Sequence, residues 1–417
     1  MEIKRDAYLK KLINKQGNGL IKVVTGIRRC GKSYLLFTLY HNYLLSIGVD
    51  NQHIIEVALD DRSNILLRNP DNMLSYIKGR IKDKKDYYVI LDEVQLLDEF
   101  EDVLNSLLHI KNVDVYVTGS NSRFLSSDVI TEFRGRGDEI RIYPLSFREF
   151  FSVYEGTKEE AWDDYYNYGG LPLVLNCKTP EEKAEYLISQ FKKVYVPDLI
   201  ERHKIKNEEE FDELLDILAS SIGSLTNPLK LSRTFESIKH KTISDKTLRK
   251  YLEYLQDSFL IGRAKKYDVK GKKYINSPSK YYFEDIGLRN ARLEFRQTEE
   301  NHIMENVIYN ELRMRGFRVD VGVVELFGKD SSGKTTKKQL EVDFIATMGS
   351  KKYYIQSAFS MPTAEKMDQE QRPFLSINDS FKKIIVVRDN IKVRRNEYGI
   401  TMIGLVNFLL DDNSLEL

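Results

Sequence analysis

At 417 residues with 41% hydrophobic side chains, the chain has ample apolar mass for real cores and the length for two or three domains. Basic and acidic residues nearly cancel, to a formal net charge of +1, which excludes a global basic field of the kind that announces nucleic acid. Two isolated cysteines exclude a disulfide framework or a zinc site, and with no signal peptide and no apolar run of membrane-span length the expectation is a cytoplasmic protein.

In chain order, the first strong signal is the apolar run Ile21, Val23, Val24, which reads as a buried strand. Gly26-Ile27-Arg28-Arg29-Cys30-Gly31-Lys32-Ser33 follows, in the pattern G-x-x-x-x-G-K-[ST] of a phosphate-binding P-loop. Residues 33 to 45 then read as a helix, with Leu35, Leu36, Leu39 and Tyr43 on one face. Glycines let backbone N–H groups turn toward phosphate oxygens, and the helix N-terminus favours their charge. Residues 26 to 34, ending in Tyr34, are the expected nucleotide contacts. Lys32 is placed to reach the β/γ-phosphates and Ser33 to hold Mg²⁺. A thiol at Cys30 predicts sensitivity of nucleotide binding to alkylation.

The run from Tyr87 to Leu91 is an apolar strand that ends in Asp92-Glu93, a Walker B arrangement. Asp92 is the expected second Mg²⁺ residue, and Glu93 the group that polarises the attacking water. A third strand, 113 to 117, ends in Thr118-Gly119-Ser120-Asn121. Asn121, or Ser120, is the candidate to contact the γ-phosphate or the water.

Walker A, Walker B and a polar strand end, in that order, resemble AAA+ ATPases. The strings GIRRCGKS, LDEVQ, VTGSNSRFL, FRGRG and YPLSFREF are similar to a family of prokaryotic ATP-binding proteins with an AAA domain and a C-terminal region long of unknown function. The resemblance covers nearly the whole chain. It implies ATP as the nucleotide and a finger arginine near Phe133-Arg134-Gly135-Arg136-Gly137, with Arg136 ahead of Arg134. Such a finger would act in cis or from a second copy in a homo-oligomer. By the same resemblance, the YGGLP string at 168 to 172 falls in a helical lid beside the nucleotide.

After residue 204 the pattern changes. Asn207 followed by three glutamates starts one helix, Asn227-Pro228 a second and Ser244 a third. Short strands around 260–267, 273–275 and 281–283 complete a winged helix-turn-helix pattern. Lys246, Arg249 and Lys250 on the third helix, and Lys265, Lys266, Lys272 and Lys273 on the hairpin, are candidate DNA contacts.

The last region, helix 301–315 followed by strands at 317–324, 340–346, 352–358 and 384–387, resembles the core of PD-(D/E)xK nucleases. The resemblance places Glu305, Asp343 and Gln356 at the metal site. Ala358 stands where the catalytic lysine would be, and Lys351 and Lys352 are too far along a strand rising about 3.3 Å per residue to replace it. An amide in place of one carboxylate also weakens Mg²⁺ binding. The expectation is a vestigial site.

The predicted architecture is thus an α/β chain: an AAA+ P-loop core at 1–155, a helical lid at 156–203, a winged helix at 204–290 and an inactive nuclease-like domain at 291–417. The expected function is Mg²⁺-dependent ATP hydrolysis coupled to DNA through the winged helix or to a protein partner through the C-terminal domain. The alternatives are an ATP-gated metal-dependent nuclease and a nucleotide-controlled interaction switch without nucleic acid.

Overall fold

A computed structural model describes residues 3–119, 135–239, 242–297, 299–329, 335–361 and 363–417. The chain divides into two compact units, Met1–Pro144 with Asp257–Phe259, and Leu145–Gln256 with Leu260–Leu417. Among the described residues no helix is long and apolar enough to cross a membrane.

The first unit opens with α1 (Asp6–Lys15) and β1 (Ile21–Thr25). The helix after the P-loop is α2 (Lys32–Tyr34), a π-helical stretch Leu35–Tyr40, and α3 (His41–Ser46). Next come β2 (Ile54–Ala58), α4 (Pro70–Arg80), β3 (Tyr87–Asp92), α5 (Phe100–Leu108), β4 (Val113–Thr118) and β5 (Gly137–Arg141). The five strands form one parallel sheet in the order β2-β3-β4-β1-β5. Parallel strands are covered on both faces, so they read as continuous apolar runs; all six residues of β3 are buried. Leu104, Leu107, Met73 and Ile77 close one face over Val89, Leu91 and Val115.

Because β4 lies between β1 and β3, the P-loop and the acidic end of β3 flank a single strand end. Val24 is in register with Thr118, and Leu91 with Val117. That places Thr118 between the two, at the C-terminal edge where open α/β sheets take ligands.

The second unit contains α6 (Phe147–Phe151), α7 (Lys158–Tyr168), α8 (Pro180–Gln190), α9 (Val196–His203), α10 (Glu208–Ser220), α11 (Pro228–Thr234) and α12 (Asp245–Asp257, whose last residue falls in the first unit). Strands β6 (Ile261–Asp268) and β7 (Lys273–Phe283) precede α13 (Ile286–Arg292) and α14 (Glu300–Met314). Then come β8 (Arg318–Lys329), β9 (Thr335–Met348), β10 (Lys351–Ala358), α15 (Ala364–Leu375), β11 (Lys382–Val387), β12 (Arg394–Arg395), β13 (Thr401–Gly404) and α16 (Leu405–Leu410). The SFRE string starts α6 through a capping box: the Ser146 hydroxyl accepts from the Glu149 N–H, and Glu149 Oε2 accepts from the Ser146 N–H at 3.0 Å.

Two expectations change here. Three helices do precede the β6–β7 hairpin, but the hairpin is no free wing. β6 pairs in parallel with β8, so both strands belong to an eight-stranded sheet, β12-β13-β11-β10-β9-β8-β6-β7. The boundary expected at 290 therefore runs through a continuous sheet. The segment expected as a lid of the ATPase core belongs instead to the second unit, where it interlocks with α13.

That interlock is built on a buried carboxylate. Asp285 Oδ2 accepts from the Gly170 N–H at 2.8 Å and Oδ1 from the Leu288 N–H at 3.0 Å, with Gly287 and Leu171 as further backbone donors. A Cβ at Gly169 would meet Asp285 Oδ1 at 2.4 Å, and one at Gly287 would meet the Tyr168 carbonyl at 2.1 Å, so both glycines are required by close approach. The Asn290 amide completes the joint by donating to the Tyr166 and Asn167 carbonyls, each at 2.9 Å. Asp285→Ala strands several buried N–H groups and is expected to cost roughly 3 kcal/mol, read as a lower urea midpoint for the second unit.

Candidate functional site

The P-loop leaves β1 through three positive φ values, at Gly26 (145°), Arg29 (62°) and Gly31 (100°). Gly26 is fixed by crowding as well as by φ, since a Cβ there would meet the Ile142 carbonyl oxygen at 2.3 Å. Lys32 is buried, and its Nζ donates to the carbonyls of Gly26 and Ile27, each at 3.1 Å. The ammonium thus spans the loop it belongs to and can exchange these two neutral acceptors for phosphate oxygens. The loop's backbone and the lysine fit a polyphosphate.

Asp92 ends β3 and is 4% exposed. Burial holds its pKa above the ordinary carboxylate value, while hydrogen bonds from Thr118 and Ser33 pull the other way. The Ser33 hydroxyl and the Asp92 carboxylate are therefore adjacent, a pair of hard oxygen donors that suits Mg²⁺. Glu93 leaves the strand with φ 51° and ψ 49°, which turns its side chain out of the sheet. The Gln95 amide donates to the Glu93 carboxylate.

Thr118 links the two acidic residues. Its hydroxyl donates to Asp92 Oδ1 and accepts from the Glu93 N–H at 2.9 Å. Neither Thr118 nor Gln95 is singled out as a site residue by the sequence. The signal for Thr118 was its place as the last residue of an apolar strand, and for Gln95 its place two residues after Glu93.

Asn121, Ser120 and Arg134 lie outside the described residues. Arg136 is exposed, and its Nη1 donates to Asn105 Oδ1 at 3.1 Å. Its carbonyl accepts from the Ile21 N–H at 2.8 Å, at the start of β1, whereas the P-loop follows the end of that strand. Arg136 is thus a strand length, roughly 13 Å, from its own P-loop, which excludes it as a finger in cis in this arrangement. Cys30 has no exposed surface, so a thiol reagent has no access to it in the folded protein and the expected alkylation sensitivity is not supported.

A family profile described as an AAA domain matches residues 18–151, and one described as a domain of unknown function (DUF8612) matches residues 159–299. An uncharacterized protein of Haemophilus influenzae is 31% identical over 414 residues, 98% of each chain. The chain belongs to the same family as that protein, and its own residues 18–151 form an AAA P-loop domain. An uncharacterized Methanocaldococcus jannaschii protein is 29% identical over 407 residues, 94% of this chain and 84% of that one. Among solved structures, a DNA polymerase III gamma subunit-related protein of Thermotoga maritima is 13% identical, covers 60% of this chain and 99% of its own, and has a TM-score of 0.28, too low to carry an argument.

In this AAA protein the second unit does gather the residues expected at the nuclease-like site. Asp343 Oδ2 accepts from the Ser357 N–H at 2.9 Å, the Asp343 N–H donates to Gln356 Oε1 at 3.4 Å, and Tyr282 Oη donates to Glu305 Oε1 at 2.6 Å. A lysine is present after all, but it comes from β7. Lys280 Nζ lies 2.8 Å from Glu305, 2.7 Å from Glu341 and 3.6 Å from Asp343. Burial disfavours that ammonium, but Glu305, Asp343 and Glu341 outweigh it and raise its pKa above the ordinary lysine value. Burial likewise pushes the Asp343 carboxyl up, against the pull of Lys280. One ammonium thus already sits among three carboxylates, and among the described residues no group of three His, Cys, Asp or Glu side chains is arranged to hold a metal ion.

Of the candidate DNA contacts, Lys246, Arg249 and Lys250 on α12 are exposed, as are Lys265, Lys272 and Lys273. Lys266 is not: it is 8% exposed and donates to Gln339 Oε1 at 3.1 Å, because β6 is an interior strand. Thr118→Val removes the bridge between Asp92 and Glu93 and is expected to lower nucleotide turnover roughly tenfold or more, with Thr118→Ser close to wild type, measured as phosphate release on proteins of unchanged circular dichroism.

Proposed function

We propose that the first unit binds ATP with Mg²⁺ and hydrolyses it, and that nucleotide state is coupled to a DNA or protein partner through the second unit. The observation that carries this reading is the convergence of Lys32, Ser33, Asp92 and Thr118 at the C-terminal ends of β1, β3 and β4, with Lys32 spanning the loop. Lys32 exchanges its carbonyl partners for β- and γ-phosphate oxygens. Ser33 and Asp92 are the residues that would hold Mg²⁺, which when bound neutralises charge on the phosphates. Glu93 takes hydrogen-bond control of the attacking water, once its carboxylate leaves Gln95. Arg136, at the opposite edge of the sheet, is assigned as a finger only toward the nucleotide of a second copy. Lys32→Ala is expected to abolish nucleotide binding or turnover, whereas Glu93→Gln retains binding and slows hydrolysis roughly 100-fold or more, measured by calorimetry and phosphate release. Equal turnover in wild type and both variants would remove this reading.

The coupling partner is assigned as duplex DNA by the exposed Lys246, Arg249 and Lys250, which would contact phosphates. Stimulation of ATPase activity by DNA, fading with salt, supports it, and ATP turnover indifferent to DNA moves the assignment to a protein partner. The second unit is proposed not to cut. With the Lys280 ammonium among its carboxylates, plasmid nicking in Mg²⁺ or Mn²⁺ is expected to stay at the level of an Asp343→Ala variant. Nicking that Asp343→Ala abolishes would reinstate a nuclease.

A further inference from the structure

The residue just before α1 sits under the P-loop. Arg5 is 3% exposed. Its Nη1 donates to the Cys30 carbonyl at 3.0 Å and its Nη2 to the Tyr143 carbonyl at 2.7 Å. Its guanidinium lies 4.7 Å from the centroid of the Tyr8 ring, and its own carbonyl accepts from the N–H groups of Tyr8 and Leu9, so the start of α1 fixes where the fork points. The Ile3 N–H adds a contact from the same segment by donating to Tyr34 Oη at 3.3 Å, just past the P-loop.

Two facts make this more than a buried pin. Cys30 is inside the phosphate-binding loop, immediately before Gly31 and Lys32. The segment following β5 touches the loop at its other end, where the Ile142 carbonyl leaves no room for a Cβ at Gly26. Arg5 therefore ties the second half of the loop to the strand-end segment that already confines the first half. In a planar trans peptide the C=O and the N–H point in opposite directions. Holding the Cys30 carbonyl toward Arg5 turns the Gly31 N–H to the opposite side of the loop.

We propose that Arg5 is a positioning residue for nucleotide binding: its guanidinium orients the Cys30–Gly31 peptide so that the Gly31 N–H faces the phosphates of a nucleoside di- or triphosphate. The proposal rests on the P-loop nucleotide reading given above. Only an arginine fork supplies two donors of fixed spacing to two carbonyls from different segments; a lysine reaches one as a point donor. Because the cradle serves the phosphates common to both ligands, ADP and ATP weaken together when it is lost.

The test compares wild type, Arg5→Met, Arg5→Lys, Lys32→Ala and Leu12→Ala by calorimetric titration with ADP and ATP in Mg²⁺ and by steady-state phosphate release, with thermal unfolding of each nucleotide-free protein. Leu12 is buried on α1 and its apolar side chain can donate no hydrogen bond to the loop carbonyls, so its variant controls for loss of stability alone. The expected result is affinity for both nucleotides reduced roughly tenfold in Arg5→Met and less in Arg5→Lys, with KM raised and kcat largely kept, while Leu12→Ala lowers Tm and leaves affinity unchanged. Wild-type affinity in a folded Arg5→Met, alongside its loss in Lys32→Ala, overturns the proposal and spares the nucleotide reading. Equal affinity in wild type and Lys32→Ala overturns the nucleotide reading itself. If Arg5→Met does not fold, Arg5→Lys decides: wild-type affinity there overturns the proposal as well.

Discussion

A carboxylate removed from water at the end of a parallel strand is the constraint on which the first unit turns. Asp92 is buried with hydroxyl donors, Thr118 and Ser33, as its partners. Two hydroxyls soften the cost of that burial but leave a negative charge with unspent attraction for a cation. The strand order follows from the same need. With β4 inserted between β1 and β3, a threonine at its end can hold the acidic residue from one side while Ser33 of the loop holds it from the other.

The second unit solves a comparable electrostatic problem differently. Glu305, Glu341 and Asp343 converge from a helix and a strand distant in sequence, and their charge is met from inside the chain by Lys280. Removing one partner of a buried pair costs more than the pair contributes, so the carboxylates and the ammonium constrain one another. The two units thus hold buried carboxylates in different company, one with hydroxyl donors and the other with an ammonium.

Local signals were legible from sequence where chemistry is contiguous. The P-loop, the strand ending in Asp92-Glu93, and the Asn227 and Ser244 caps each occupy a few adjacent residues, and each is found where the pattern placed it. The positions misread depend on pairing between distant segments. Lys266 looked like a solvent-facing wing residue because nothing in the run from 261 to 268 announces that β8 pairs alongside it. Lys280 was overlooked because a lysine was sought two residues beyond Gln356, on the same strand, whereas it arrives from β7. Thr118 was passed over in favour of polar residues farther along, although the register with Val24 places it between the loop and the acid.

The parallel pairing of β6 with β8 has a consequence for dissecting the protein. A polypeptide begun at residue 291 would carry β8 with the flank that meets Lys266, Tyr267 and Asp268 stripped of its neighbour, and with Glu305 and Asp343 deprived of Lys280. Such a piece would present an unsatisfied strand edge beside an uncompensated nest of carboxylates, conditions that favour self-association over folding. The second unit is therefore not divisible at residue 291, because β6, β7 and Lys280 lie before that point and β8, Glu305 and Asp343 after it.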